Sequence, residues 1–316
     1  MRRLKIIFMG SPEFALPSIE MLAGSEHTVL GIVTRPDRPQ GRGYRMAPTP
    51  VKEWAASRGY YVYQPIRLTD TDFLTQMQVL APDLIVNVAF GRIVPQKMLE
   101  LPTHGSINLH PSLLPAYRGA APVQHAIFNG EKHTGVTVLY MEEELDAGDI
   151  ILQEEEPIPL SLNAGQLLER LARKGARLLL EAIGLIAAGG VQSFPQDPGK
   201  ISYAPPITPG EELICWKDSA LKIHNQVRGL APSPGAYTLQ GGNRLKIWKT
   251  EIIAREENSI PYVKPGTVIS LTNDGIKVKT GDGLINIREI QAEGKKRVHS
   301  SDFWRGYRLK KGMILG

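Results

Sequence analysis

The sequence predicts an α/β fold: a Rossmann-like, doubly wound and mostly parallel sheet, followed by a small OB-like β-barrel domain. In the first half, runs that are apolar on both faces alternate with segments of helical periodicity. This pattern is typical of buried parallel strands joined by helices. After residue 206 the chain contains short β-rich runs separated by glycine turns, a spacing that favours a small barrel.

The elements of the first half follow in order from their patterns. LKIIFMG at 4–10 is a buried strand, and Ser11-Pro12 is placed to begin a helix at 13–23. The apolar run 27–34 is a second strand. A helical pattern at 50–58 and the short β-rich run 60–64 complete this part of the predicted sheet.

The same alternation continues to residue 188. Thr69 or Asp70 caps a helix that ends at Leu80. The predicted strands are 83–90, 106–110 and 135–141, and the predicted helices are 122–129 and 163–188. Ala188-Gly189-Gly190 ends the last helix.

The chain then changes character. Five prolines between residues 191 and 210 predict an extended connection. We therefore expect a first domain at 1–190, a Pro-rich linker at 191–206 and a second domain at 207–316. The second domain begins with a helix at 219–228, and its strands are separated by turns such as Asn273-Asp274-Gly275.

Composition narrows the class of protein. The chain has 316 residues, of which 42% are hydrophobic and 22% charged, as in an ordinary globular protein. No apolar run approaches the roughly 20 residues of a membrane span, and no signal-peptide pattern is present, so we expect a cytoplasmic protein without membrane contact. The one cysteine, Cys215, excludes an internal disulfide, and we expect it to be buried.

Charge is distributed unevenly. Residues 1–206 carry 19 Lys and Arg against 21 Asp and Glu, a net charge of −2, whereas residues 207–316 carry 18 against 11, a net charge of +7. An excess of positive charge in one half indicates a polyanionic partner for that half.

Asn108 and His110 are the main candidates for catalysis. They lie two residues apart at the end of a predicted strand, so their side chains share one face. Ligands of doubly wound sheets bind beyond the carboxyl ends of the strands. An amide donor beside an imidazole at this edge can hold an oxyanion and carry a proton around one reacting carbonyl.

The string INLHPSLLPAYRGAAP, from Ile107 to Pro122, resembles the signature of the folate-dependent formyltransferases. The resemblance implies the formyltransferase fold and 10-formyltetrahydrofolate as formyl donor. It also implies Asp146, in a loop that continues to Gly148 and Ile150, as the third catalytic residue.

The resemblance further assigns folate contacts, and it implies no metal. The matching residues are Ser112, Leu113, Leu114 and Pro115, with Phe90, Gly91 and Val94 in the looser match to the pterin pocket. The apolar members of this set would also fit an ordinary core. Acidic residues 142–144 are expected to form a solvated loop rather than a metal cage.

Residues 34–52 form a basic segment with Arg35, Arg38, Arg42 and Arg45 against a single carboxylate, Asp37. We expect a mobile surface loop that follows phosphates. Its Gly41-Arg42-Gly43 triplet lies outside a strand-to-helix turn, which disfavours a dinucleotide site.

Within the family, this basic segment and a basic second domain resemble the branch that acts on aminoacylated tRNA. The resemblance implies initiator methionyl-tRNA as formyl acceptor, with Arg42 central to the contact. Lys295, Lys296 and Arg297 lie in the densest basic tract of the second domain. We expect a monomer.

Three alternatives remain open from the sequence: a sugar-amine formyltransferase, the hydrolase module of a formyltetrahydrofolate dehydrogenase, and a tRNA-binding protein without activity. A neutral second domain and a short loop after the second strand would favour the first two. Loss of Asn108, His110 or Asp146 would favour the third.

Overall fold

The structure of the protein is a computed structural model that describes residues 2–40, 45–253, 262–306 and 309–316. The chain divides into two compact units. The N-terminal unit comprises Met1–Pro122, His133–Pro157 and Leu168–Pro205, and the C-terminal unit comprises Val123–Lys132, Ile158–Leu167 and Pro206–Gly316. The C-terminal unit therefore includes two short segments from the first half of the chain.

The N-terminal unit contains a seven-stranded sheet and two small strand pairs. Its strands are β1 (Lys5–Gly10), β2 (Thr28–Val33), β3 (Arg38–Gln40), β4 (Arg45–Ala47), β5 (Val62–Tyr63), β6 (Leu84–Val88), β7 (Ser106–His110), β8 (Arg118–Gly119), β9 (His133–Tyr140), β10 (Ile150–Pro157) and β11 (Tyr203–Ala204). The sheet order is β10-β9-β7-β6-β1-β2-β5. Neighbours from β7 to β5 are parallel, while β9 is antiparallel to both β7 and β10. The predicted mostly parallel sheet is confirmed.

The helices begin and end at the signals that the sequence carries. They are α1 (Leu16–Ala23), α2 (Pro50–Ser57), α3 (Thr71–Leu80), α4 (Gln96–Leu99), α5 (Pro122–Phe128) and α6 (Ala164–Ala187). Thr49 caps α2 by accepting from the Lys52 amide, and Asp70 caps α3 by accepting from two amides. These side chains satisfy donors that the first turn of a helix leaves unpaired.

Burial follows the apolar pattern of the strands. All five residues of β6 are buried, as are the last five of β1. One face of the sheet packs into a core that includes Ile7, Met9, Val33 and Phe90. Because the strands are buried on both faces, polar side chains that could form a site are expected at their carboxyl ends.

Strand β10 was not predicted. Its glutamates 154–156 pair with β9 along an edge of the sheet. Lys174 on α6 lies 2.8 Å from Glu154 Oε1 and 3.2 Å from Glu156 Oε2. The hydrogen bond that Lys174 donates to Glu154 is the main cause that raises the pKa of Lys174. The charges therefore belong to a strand that is partnered by a helix.

The proline-rich segment after α6 packs against the N-terminal unit. Tyr203–Ala204 forms a parallel pair with Arg118–Gly119, and Phe194 exchanges two backbone hydrogen bonds with Ile150. Gly119 has φ +123°, and a Cβ there would lie 2.7 Å from the Ala204 carbonyl oxygen. Residues 191–205 thus do more than connect two domains.

The basic segment after β2 has regular structure in its described part. Strands β3 and β4 form an antiparallel pair, with Arg38 opposite Ala47, where a mobile loop was expected. Asp37 next to this pair accepts hydrogen bonds from Lys52 and Gln64. Arg42 lies outside the described residues, and so does the side chain of Arg45.

The C-terminal unit is built on an antiparallel sheet. Its elements are α7 (Ala220–Gly229), β12 (Ala236–Gln240), β13 (Asn243–Ile253), β14 (Val268–Thr272), β15 (Gly275–Lys279), β16 (Leu284–Ala292), β17 (Val298–His299) and α8 (Ser300–Gly306). The strand order is β12-β13-β16-β15-β14, and β17 pairs with β16. The core contains Ile247, Ile287 and Phe303. Cys215 is exposed, so the expectation of a buried thiol was wrong.

No helix in the described part of the chain combines the length and the apolar character that crossing a membrane requires.

Two glycines of α6 allow a paired test of packing. A Cβ at Gly184 would meet nothing within 4 Å, so Gly184→Ala should stabilise the protein by about 0.5–1 kcal/mol through helix propensity. A Cβ at Gly175 would lie 2.7 Å from Leu109 Cδ2, so Gly175→Ala should destabilise it by about 1 kcal/mol or more. Thermal unfolding of both variants measures this. Equal shifts would contradict the packing of α6 on β7.

Candidate active site

The three candidate catalytic side chains meet beyond the end of β7. Asn108 and His110 share one face of that strand, and Asp146 lies in the loop after β9. Asn108 Nδ2 donates to Asp146 Oδ1 at 3.2 Å, and His110 Nδ1 lies 3.5 Å from Asp146 Oδ2. The His110 and Asp146 side chains are each only 5% exposed. The structure thus brings together all three residues that the sequence proposed.

The direction of each hydrogen bond follows from the carboxylate. An ionised carboxylate only accepts, so the nitrogen side of the Asn108 amide must face Asp146. The backbone N–H of Gly119 donates to Asp146 Oδ2 at 3.0 Å. The second N–H of Asn108 has no partner among the described residues, and Asn108 lines a neighbouring cavity. That N–H is free to meet an oxygen of a bound ligand.

His110 is set to carry a proton. Its Nε2 lies 2.9 Å from the Tyr117 carbonyl oxygen, which can only accept, so Nε2 holds a hydrogen. Its Nδ1 faces the Asp146 carboxylate. The charged imidazolium therefore has an acceptor at both nitrogens, and the neutral ring keeps one nitrogen free of hydrogen beside the carboxylate.

The loop that carries Asp146 is held by its backbone. Asp146 has φ +55°, a conformation that Asp tolerates better than most residues. Gly148 passes so close to the Tyr140 carbonyl that any side chain would clash. Gln196 Nε2 donates to the carbonyls of Asp146 and Gly148, each at 2.8 Å. Gln196 was not among the predicted site residues, because it lies in the segment that was expected to be a linker.

Side chains of β9 and β10 form hydrogen bonds with the backbone of the turn after His110. Thr137 Oγ1 donates to the Ser112 carbonyl at 2.7 Å and accepts from the Leu114 N–H at 3.2 Å. Gln153 Nε2 donates to the Leu114 carbonyl at 2.7 Å. Ser112 and Leu114 are buried. The turn supports the strand end that presents His110.

A cavity of about 140 Å³ opens beside Asn108. Its lining combines apolar side chains with the polar groups of the site: Asn87, Arg92, Ile93, Val94, Asn108, Leu139, Tyr140, Met141, Glu142, Glu143, Leu145 and Asp146. Burial raises the pKa of Tyr140. A cavity lined by both apolar and polar side chains suits a flat heterocyclic ring such as the pterin of a folate.

The residues proposed for folate occupy different places. Val94 lines this cavity, whereas Phe90 is fully buried in the core with Ile7 and Met9. Gly91 adopts φ +79° next to the Arg35 guanidinium. Residues 112–115 form the turn behind His110 and do not line the cavity. Their folate contacts stay predictions.

Arg92 lines the cavity, and its charge and that of Arg38 act on Arg35. Burial lowers the pKa of Arg35, and the charges of Arg38 and Arg92 lower it further. Arg92 lines the cavity and donates to the carbonyls of Pro65 and Ile66. No described carboxylate forms an ion pair with any of the three.

The basic tract of the C-terminal unit is only partly free. Lys295 and Lys296 are exposed and have no ion-pair partner in the described ranges. Arg297 pairs with Glu289, and its guanidinium lies 5.4 Å from the Trp248 ring centroid. Arg297 is therefore already held by contacts within the unit.

Residues 3–183 match the profile of the family described as "Formyl transferase", and residues 206–308 match "Formyl transferase, C-terminal domain". The chain belongs to the formyltransferase family. Because both profiles match, the resemblance read from the sequence extends beyond the catalytic signature to the second half of the chain.

Close relatives of this formyltransferase match along the whole chain. The methionyl-tRNA formyltransferase of Moorella thermoacetica is 45% identical over 313 residues, covering 99% of each chain. That of Syntrophus aciditrophicus is 46% identical over 316 residues, covering 100% of each chain.

Solved structures share the fold of this formyltransferase. HypX from Aquifex aeolicus in complex with tetrahydrofolic acid aligns with a TM-score of 0.67 at 19% identity, covering 99% of this chain and 51% of that chain. The chain thus spans about half the length of HypX. An N-formyltransferase from Helicobacter canadensis in complex with folinic acid and dTDP-3-aminofucose aligns with a TM-score of 0.69 at 20% identity, covering 92% of this chain and 99% of that chain.

Asp146→Asn tests the charge at the centre of the site. Asn also tolerates positive φ, so the backbone should be kept, while the carboxylate that faces His110 and Gly119 is lost. We expect kcat for formyl transfer to fall about 10²–10³-fold, as for loss of a key electrostatic group. Thermal stability should also fall, because the Asn oxygen can replace only one of the two acceptors and its NH₂ then faces the other donor, either Asn108 Nδ2 or the Gly119 N–H. A variant with near-normal kcat would contradict the assignment.

Proposed function

We propose that the chain transfers a formyl group from 10-formyltetrahydrofolate to the amino group of initiator methionyl-tRNA, acting as a cytoplasmic monomer. The observation that carries this proposal is the joined network of Asn108, His110 and Asp146 beside the cavity. The full-length similarity to methionyl-tRNA formyltransferases supports the choice of acceptor.

The chemistry needs a neutral amine. An α-amino group titrates near pH 8 and a histidine near 6.5, so proton transfer between the two is close to matched. His110 accepts the proton that the attacking amine loses, and Asp146 stabilises the resulting imidazolium. His110 then returns the proton to the departing nitrogen of the donor. The bound folate supplies the formyl carbon on that nitrogen.

Asn108 would donate a hydrogen bond to the oxygen of the formyl group. Attack of the amine moves negative charge onto that oxygen, and the second N–H of the Asn108 amide faces the cavity where the oxygen would lie. Because the first N–H is held by Asp146 at 3.2 Å, the donor is aimed before the reaction starts. A fixed donor of this kind lowers the barrier without reorganisation.

The folate would occupy the cavity beside Asn108. Val94 and Ile93 would contact its apolar ring. The sequence-based contacts at Ser112, Leu113, Leu114, Pro115, Phe90 and Gly91 belong to the same proposal, with the buried members acting as support for the site.

The tRNA would meet two basic regions. In the N-terminal unit these are Arg35 and Arg38, together with Arg42 and Arg45 of the same segment. In the C-terminal unit they are Lys295, Lys296 and Arg297, within a half of net charge +7 from 18 Lys and Arg against 11 Asp and Glu. Of these groups, Arg35, Arg38, Lys295 and Lys296 have no carboxylate partner among the described residues, which suits contacts with phosphates.

The decisive experiment measures formyl transfer from 10-formyltetrahydrofolate to methionyl-tRNA. Wild type should transfer, and Asn108→Ala should lose about 10²–10³-fold in kcat because one oxyanion donor is removed. If wild type binds folate but does not formylate methionyl-tRNA, the acceptor is a sugar amine or water, and the proposed substrate is wrong.

The salt dependence of KM for tRNA tests the basic regions. Each lost phosphate contact should reduce the slope of log KM against log salt by about 0.9. We expect this for Arg38→Ala and for Lys296→Ala, with kcat unchanged. Arg173→Ala is the matched control, since Arg173 is exposed but pairs with Glu169 on α6. An unchanged slope in the first two variants would refute the contacts.

A further inference from the structure

A second asparagine lies next to the catalytic one. Asn87 occupies β6 in direct register with Asn108 on β7. Asn87 Nδ2 donates to Asn108 Oδ1 at 2.9 Å. Asn87 is 8% exposed and lines the cavity, in a strand whose other members are Leu, Ile and Val. A polar residue in such a strand calls for an explanation.

The direction of this hydrogen bond is dictated by Asp146. The carboxylate accepts from Asn108 Nδ2, so the Asn108 carbonyl must point the other way, towards β6. That carbonyl needs a donor, and Asn87 can supply one only through its own Nδ2. The chain of donation therefore runs from Asn87 to Asn108 to Asp146, and reversing any member would set two acceptors against each other.

This arrangement leaves one atom without a partner. Asn87 Oδ1 is buried and makes no hydrogen bond within the described part of the chain. An unpaired buried carbonyl weakens the folded state, and an apolar side chain would suit this strand better. Asn87 is thus a poor choice for stability and a good one for orienting its neighbour.

We infer that Asn87 is a positioning residue for catalysis, which fixes the Asn108 amide and strengthens its free N–H as a donor. A hydrogen bond accepted by an amide carbonyl polarises the whole amide, so the N–H groups on the far side become better donors. The effect acts through Asn108 alone. This inference rests on the proposed function, in which Asn108 holds the formyl oxygen.

Asn87→Leu removes the donor and keeps the shape of the side chain. We expect kcat for formyl transfer to fall about tenfold, equivalent to one ordinary hydrogen bond in the transition state. Because Asn87 also lines the cavity, KM for 10-formyltetrahydrofolate is measured with kcat, and the fall in kcat should exceed any change in KM. Thermal stability should change little, because the variant removes the unpaired Asn87 Oδ1 but leaves Asn108 Oδ1 without its donor. A merely structural role predicts a loss of stability with kcat unchanged.

A double-mutant cycle tests whether the effect passes through Asn108. In the Asn108→Ala background, Asn87→Leu should cause no further loss of kcat. The matched control is Asn286→Leu in the C-terminal unit, where a buried asparagine also has an unpaired Oδ1 and donates to the Asp274 carbonyl. This control should leave kcat unchanged. An unchanged kcat for Asn87→Leu, or a loss that persists in the Asn108→Ala background, would overturn the inference.

A readout without tRNA separates this inference from the proposed function. In protein labelled with ¹⁵N at asparagine, the Asn108 side-chain N–H₂ signal is identified by its loss in Asn108→Ala. It should shift and exchange faster with solvent in Asn87→Leu, whatever the acceptor substrate is. A signal that is unaffected would overturn the inference even if wild type formylates methionyl-tRNA, and failure to formylate would reject only the proposed substrate.

Discussion

The buried carboxylate of Asp146 is the group on which the geometry of the site depends. It only accepts hydrogen bonds, and burial removes the water that would otherwise solvate its charge. Donors must therefore come from the protein: the Asn108 amide, the Gly119 backbone and, when it is protonated, His110. The carboxylate sets the orientation of the Asn108 amide, while the Tyr117 carbonyl keeps the hydrogen of the neutral imidazole on Nε2 and leaves Nδ1 facing Asp146.

The position of Asp146 depends in turn on parts of the chain that lie far apart in sequence. Its loop follows β9, and its side chain contacts Asn108 and His110 on β7. Its backbone carbonyl accepts a hydrogen bond from Gln196, in the segment after α6. That segment is tied to the unit by the pairing of Tyr203–Ala204 with Arg118–Gly119. The same residue, Gly119, donates its N–H to Asp146. The proline-rich segment thus completes the site as well as leading out of the unit.

Sequence was sufficient where one local pattern decided the outcome. The apolar runs of β1 and β6 identified a buried parallel sheet, and the two-residue spacing of Asn108 and His110 placed both on one face. It failed where the partner was distant. The glutamates of β10 do not look like an edge strand in the sequence, because their ion-pair partner Lys174 lies on α6. No sequence pattern marked Gln196, which lies in a proline-rich segment, as part of the site. Asn87 was visible as one polar letter in an apolar run, but only the register of β6 with β7 gives it meaning.

The network of Asn108, His110 and Asp146 does not determine which amine accepts the formyl group. Structures of sugar N-formyltransferases align with the chain at about 20% identity, so the fold by itself does not select an amine. The distribution of charge adds to what the full-length relatives already indicate about the acceptor. The N-terminal half has a net charge of −2, from 19 Lys and Arg against 21 Asp and Glu, yet Arg92 lines the cavity and no described carboxylate forms an ion pair with Arg35, Arg38 or Arg92. Burial lowers the pKa of Arg35, and the charges of Arg38 and Arg92 lower it further. An anion such as the phosphate chain of a tRNA would relieve this repulsion.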